Sequence, residues 1–86
     1  MENENIYFTS DLVLAATLAT LDYPLKTIQP YQDNRFNFIF GKDSNIQGIV
    51  DQFKDDKIAV EPKKFTYHYK TIKQKLFDRV REGRLT

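Results

Sequence analysis

The segment Arg35-Phe36-Asn37-Phe38-Ile39-Phe40 narrows the possible folds of this chain more than any other. Its alternation puts Phe36, Phe38 and Phe40 on one face of a strand and Arg35, Asn37 and Ile39 on the other. It is the strongest strand signal in the chain, and a face of three phenylalanines calls for a covering layer. The chain has 86 residues and no cysteine, so one modest core has to do this work without disulfides or thiolate zinc. A composition of 41% hydrophobic and 29% charged residues, with three Gly and three Pro, argues against disorder and low complexity.

The neighbouring segments supply the rest of the sheet and its cover. Asn5–Thr9 reads as a short strand, and Leu25–Gln29 as a second that forms a hairpin with Arg35–Phe40 through a turn at Asp33-Asn34. Between them, Ser10 offers an N-cap for a helix from Leu12 to Leu21 that is apolar around most of its circumference and stops before Pro24. Ser44 and Gln47 match a capping box, followed by Ile46, Ile49, Val50 and Phe53 on one helical stripe. Gly48 inside that helix costs about 1 kcal/mol relative to Ala, which suggests tight packing there. Ile58–Val60 is a candidate fourth strand. Pro62 opens the longest amphipathic pattern, Phe65, Tyr69, Ile72, Leu76 and Val80, spanning Lys63 to Arg81 with Gly83 as its cap.

The expected order is β-α-β-β-α-β-α in a single α+β domain over residues 1–86. This predicts a small, mostly antiparallel sheet packed by helices, either ferredoxin-like or a three-stranded variant, with an added C-terminal amphipathic helix. The phenylalanine face belongs beneath the helices. Ile6-Tyr7-Phe8 and Arg35–Ile39 loosely resemble the paired motifs of an RNA-recognition sheet, but the glycines of the longer motif are missing and a core role for the phenylalanines is favoured.

The formal charge of +1 conceals a division at Pro62. Residues 1–61 carry five bases against ten acids, a net of −5, and residues 62–86 carry eight bases against two acids, a net of +6. An acidic body therefore bears a basic C-terminal helix. On a helical wheel Lys63, Lys70, Gln74, Phe77 and Arg81 gather on a second face of that helix, flanked by Tyr67 and Lys73. Cations interleaved with aromatics are the mixture that nucleic-acid binders use to follow phosphates and stack bases, so Lys63, Tyr67, Lys70, Lys73, Phe77 and Arg81 are the candidate nucleic-acid-binding residues. Two plainer readings stand beside this one. The face can be simply solvated, or Phe77 can pack against a protein partner or a second copy of the chain, whose acidic body complements the helix.

Catalysis has little to work with, and the expectation is a non-enzymatic domain without cofactor, metal or small-molecule substrate. His68 is the only histidine and flanks the apolar stripe, as half-buried surface histidines do. Asp55 and Asp56 sit in a polar turn, where adjacent acids are normally solvated. Gly41, Gly48 and Gly83 are isolated, so no glycine-rich phosphate loop exists. The apolar run from Leu12 to Leu21 is about half the length of a membrane span, and the acidic opening, Glu2 and Glu4, is unlike a signal peptide.

Tyr7-Phe8-Thr9-Ser10-Asp11-Leu12 with Ala15, Ala16 and Leu18 resembles the start of an uncharacterised family of small bacterial and phage domains. Phe38-Ile39-Phe40, Val60-Glu61-Pro62, Phe65, Tyr69, Lys70 and Lys73 continue the likeness over most of the chain. The shared positions are mainly apolar, so the resemblance bears on fold and transfers no functional residues. It implies a bacterial or phage cytoplasmic setting.

Overall fold

A computed structural model describes residues 6–32 and 35–85. The reversal expected at Asp33-Asn34 lies outside these residues, as does Asn5. Six elements follow in order: β1 (Ile6–Thr9), α1 (Leu12–Thr20), β2 (Leu25–Gln32), β3 (Arg35–Gly41), α2 (Ile46–Lys54) and α3 (Pro62–Leu85).

The phenylalanine strand takes the centre of a three-stranded sheet of order β1-β3-β2, with both pairings antiparallel. β1 and β2 therefore run parallel on either side of β3, and α1 is the crossover between them. The register sets Tyr7 and Leu25 opposite Phe40, and Ile28 opposite Phe38. Phe38 and Phe40 are buried and Phe36 packs against the same cluster, so the phenylalanine face is core and no base-stacking platform is formed by it. Leu14, Ala15 and Leu18 of α1, Ile46 and Val50 of α2, and Ile72 of α3 complete that cluster. The helices thus share one side of the sheet.

α1 is buried along most of its length, as its all-round apolarity requires. The hydroxyls of its buried Thr17 and Thr20 donate to the carbonyls of Val13 and Ala16, at 2.8 and 2.7 Å, which removes the cost of burying them. Ala15 and Ala16 are fully buried, and α1 packs chiefly against α3. The cap differs from expectation. Asp11, not Ser10, accepts from the amides of Val13 and Leu14 through Oδ1, at 2.9 and 3.1 Å. A carboxylate so placed also meets the positive end of the helix dipole, which a serine hydroxyl does only weakly.

The capping box predicted at Ser44 and Gln47 is likewise absent. Asn45 occupies the N-cap position of α2 without a side-chain hydrogen bond. Asp43 reaches forward instead, and its Oδ1 accepts from the amides of Asn45 and Ile46 and from the Tyr23 hydroxyl, at 2.9, 3.0 and 2.7 Å. The Tyr23 hydrogen bond, followed by those from the two amides, holds the Asp43 carboxyl below its usual range. Gln47 donates to Asp51. Gly48 is exposed, and a Cβ built there has nothing within 4 Å, so tight packing is not the reason for this glycine.

Both short helices end alike. Asp22 (φ 74°) and Asp56 (φ 60°) adopt the left-handed conformation after α1 and α2. The amides of Tyr23 and Lys57 then donate back to the carbonyls of Leu18 and Gln52. This paired reversal satisfies carbonyls that a helix end leaves open. The Asp55-Asp56 pair is therefore a helix stop.

The expected fourth strand does not form. Ile58–Val60 lies between the Asp56 reversal and the cap of α3, too short a stretch to leave the connection and pair with an edge of the sheet. The three-stranded variant is the one realised. α3 begins at Pro62, with Glu61 accepting from the amides of Lys63 and Lys64 at 2.9 and 2.8 Å. It continues through Gly83, expected as its cap, to Leu85. One glycine in an otherwise favourable helical run lowers stability by about 1 kcal/mol without forcing an end.

Candidate nucleic-acid interface

α3 lies on the rim of the domain. Of its apolar stripe only Ile72 is fully buried, whereas Phe65, Tyr69, Leu76 and Val80 are half-buried. At 1.5 Å per residue the helix is about 36 Å long, and most of its circumference meets solvent. All six candidate residues are exposed: Lys63, Tyr67, Lys70, Lys73, Phe77 and Arg81. Tyr67 and Phe77 retain 65% and 52% of their accessible surface.

The arrangement follows from helical periodicity. Lys63 and Arg81 are five turns apart and point the same way. Gln74, Lys70, Tyr67 and Phe77 fall within about 40° of that direction, so the six form a strip roughly 27 Å long. Lys73 stands to one side, its Nζ 5.8 Å from the Tyr69 ring centre and 5.9 Å from that of Phe77. Contacts of this kind at exposed sites contribute about 0.5–1 kcal/mol, enough to bias the ammonium toward one face of Phe77.

Asp78 sits among these cations. Its Oδ1 accepts from Gln74 Nε2 at 3.0 Å and from Arg81 at 3.1 Å. Arg81 is thus tethered along the helix, whereas Lys63 and Lys70 make no ion pair among the described residues. Lys64 approaches Asp22 at 3.6 Å and Arg79 approaches Glu82 at 3.7 Å. These pairs are exposed and worth about 0–1 kcal/mol each.

Burial, and then the negative charges of Asp11 and Asp51, push the Tyr7 hydroxyl above its usual range. His68 is half-buried with its ring edge-on to Tyr67 at 5.2 Å. Among the described residues no group of three or more His, Cys, Asp or Glu could hold a metal ion, and no helix is long and apolar enough to cross a membrane.

Between α3 and β2 a groove of about 250 Å3 is lined by Lys26, Lys75, Asp78, Arg79 and Glu82. A depression of about 490 Å3 adjoins it at Leu25 and Lys75 and reaches Tyr67, His68 and Asp22. Lys75 and Arg79 are four apart and share a helical face, but nothing in their spacing tells that β2 runs beside them. The groove mixes three cations with two acids and so has no single electrostatic preference.

Neither the curated proteins nor the solved structures contain a match to this chain. A sequence family does match, over residues 4–78. That span takes in the sheet, the three capping carboxylates and α3 as far as Asp78, so the shared pattern is that of the whole fold. The chain belongs to the family described as a domain of unknown function, DUF5659.

Proposed function

We propose that this domain is a small non-enzymatic accessory module that binds nucleic acid along the outer face of α3. Lys63, Lys70, Lys73 and Arg81 contact phosphates, and Tyr67 and Phe77 stack on bases or wedge between them. The observation that carries the reading is the exposure of both aromatic rings in the midst of the lysines. Had either ring packed into the monomer core, the strip would be only a solvated basic surface. The net charge of +6 on residues 62–86 supplies the attraction. Anisotropy titrations at low salt against single- and double-stranded DNA and RNA test this, and absence of binding at tens of micromolar protein refutes it. No cofactor, metal or small-molecule substrate belongs to this reading, and its setting is the bacterial or phage cytoplasm.

A second reading, an interaction module or self-assembling adaptor, is favoured by one observation. The acidic body and the basic helix are complementary, so α3 of one copy suits the body of another or an acidic protein partner. Light scattering over a concentration series tests self-association, and a pull-down with and without nuclease separates a protein partner from a nucleic-acid one.

A further inference from the structure

We infer that the ligand of the α3 strip is a single strand, lying lengthwise along the helix with one base on Tyr67 and another on Phe77. This rests on the nucleic-acid reading and deepens it. Duplex and single strand make different demands on a helix. In a duplex each base is covered by its neighbours, and only base edges and phosphates are presented. A helix reading those edges needs donors and acceptors along its outermost line. On α3 the two planar side chains suited to paired contacts with a base edge, Gln74 and Arg81, are already hydrogen-bonded to Asp78. A helix with its side chains is about 10–12 Å across, close to the roughly 12 Å width of the major groove. Seating α3 there presses the Asp78 carboxylate, which is itself exposed, toward the phosphate walls.

A single strand has what this surface lacks a use for otherwise. Its bases present their π faces, and every base can stack on an aromatic ring whatever its sequence. Tyr67 and Phe77 are ten residues apart, about 15 Å along the axis. That distance is roughly four steps of a strand at 3.4 Å per nucleotide. Lys63 lies beyond Tyr67, Lys70 lies between the two rings, and Arg81 lies beyond Phe77, so cations alternate with platforms along the path. Lys73 covers one face of Phe77 and leaves the other for a base, with its ammonium beside the adjoining phosphate. A strand following this line can also pass to one side of Asp78. At that rise the strip, roughly 27 Å long, accommodates about eight nucleotides, within the range for sequence-tolerant single-strand binders.

The test uses the full chain and fluorescein-labelled mixed-sequence DNA 12-mers, single-stranded and as the matching duplex, at low salt. The single strand is expected to bind at least tenfold more tightly, and affinity for single strands of increasing length should level off near about eight nucleotides. Tyr67→Ala and Phe77→Ala should each weaken single-strand binding about 5- to 150-fold, the equivalent of 1–3 kcal/mol per stacked base. Circular dichroism of both variants should be unchanged, and Tyr67→Phe and Phe77→Tyr should bind as the parent does. Equal or tighter duplex binding, or alanine variants that bind normally, overturns the single-strand assignment. Failure of both DNA forms, and of the RNA 12-mers of the same sequence, to bind overturns the nucleic-acid reading itself.

Discussion

Gly48→Ala should stabilise the domain, and the size of the effect can be worked from its surroundings. Gly48 is the third residue of α2, exposed, and its backbone is not left-handed. A Cβ there meets nothing within 4 Å, so the methyl group brings neither a clash nor any burial. What remains is the backbone entropy that glycine loses on entering a helix, about 0.5–1 kcal/mol relative to alanine. For a domain of 60–100 residues, 1 kcal/mol moves the melting temperature by about 4–8 °C. The variant should therefore melt roughly 2–8 °C higher when followed by circular dichroism at 222 nm. Gly41→Ala is the control, because a Cβ at that position lies 3.3 Å from Lys26 Cε and forces the lysine chain to shift. Its gain should be smaller than that of Gly48→Ala. An unchanged or lowered melting temperature for Gly48→Ala would refute the reasoning.

Other perturbations address the core, the caps and the binding strip. Ile72→Ala removes the one fully buried residue of α3 among those described and should cost about 2–5 kcal/mol, read by urea denaturation, with loss of helical signal. Asp43 has a lowered pKa in the folded state, so its contribution is fully present at neutral pH and is lost as pH falls through the carboxylate range near 4. Asp43→Ala should accordingly melt below the parent at pH 7, and the gap should narrow as pH falls below the usual carboxylate range. Tyr23 behaves in the opposite sense: burial and then its hydrogen bond to Asp43 raise its pKa, so the stability it contributes should fade only above about pH 10 and be absent from Tyr23→Phe. Asp78→Asn removes the one acid among the strip's cations and frees Arg81, and should tighten nucleic-acid binding about two- to fivefold in anisotropy titrations, the scale of a single exposed charge pair.

The elements with strong periodicity were legible in the sequence. The alternation of Phe36, Phe38 and Phe40 marked the central strand and its buried face, and Ile46, Ile49, Val50 and Phe53 marked the buried stripe of α2. Periodicity survives because a whole face is averaged. Caps are single-residue decisions, and there the neighbouring carboxylate prevailed over the hydroxyl: Asp11 over Ser10, and Asp43 over Ser44. Asp43 is held by Tyr23, twenty residues away in the chain, a contact no local motif contains. Ile58–Val60 had the composition of a strand but too little chain on either side to reach an edge. On α3, the exposure of Tyr67 and Phe77 followed from their position opposite Ile72. The tethering of Gln74 and Arg81 by Asp78 had a visible signal, spacings of four and three, that only the structure turned into hydrogen bonds. The groove beside Lys75 and Arg79 depends on where β2 lies and was not legible at all.

The salt dependence of single-strand binding tests the central claim most directly. If Lys63, Lys70, Lys73 and Arg81 each displace one counterion, the plot of log affinity against log salt should have a slope near −2.8, taking about −0.7 per phosphate for a single strand. Replacing any one of the four by alanine should flatten that slope by about 0.7. Binding that ignores salt, or a slope unmoved in all four alanine variants, would contradict the assignment of the α3 strip as a phosphate-contacting surface.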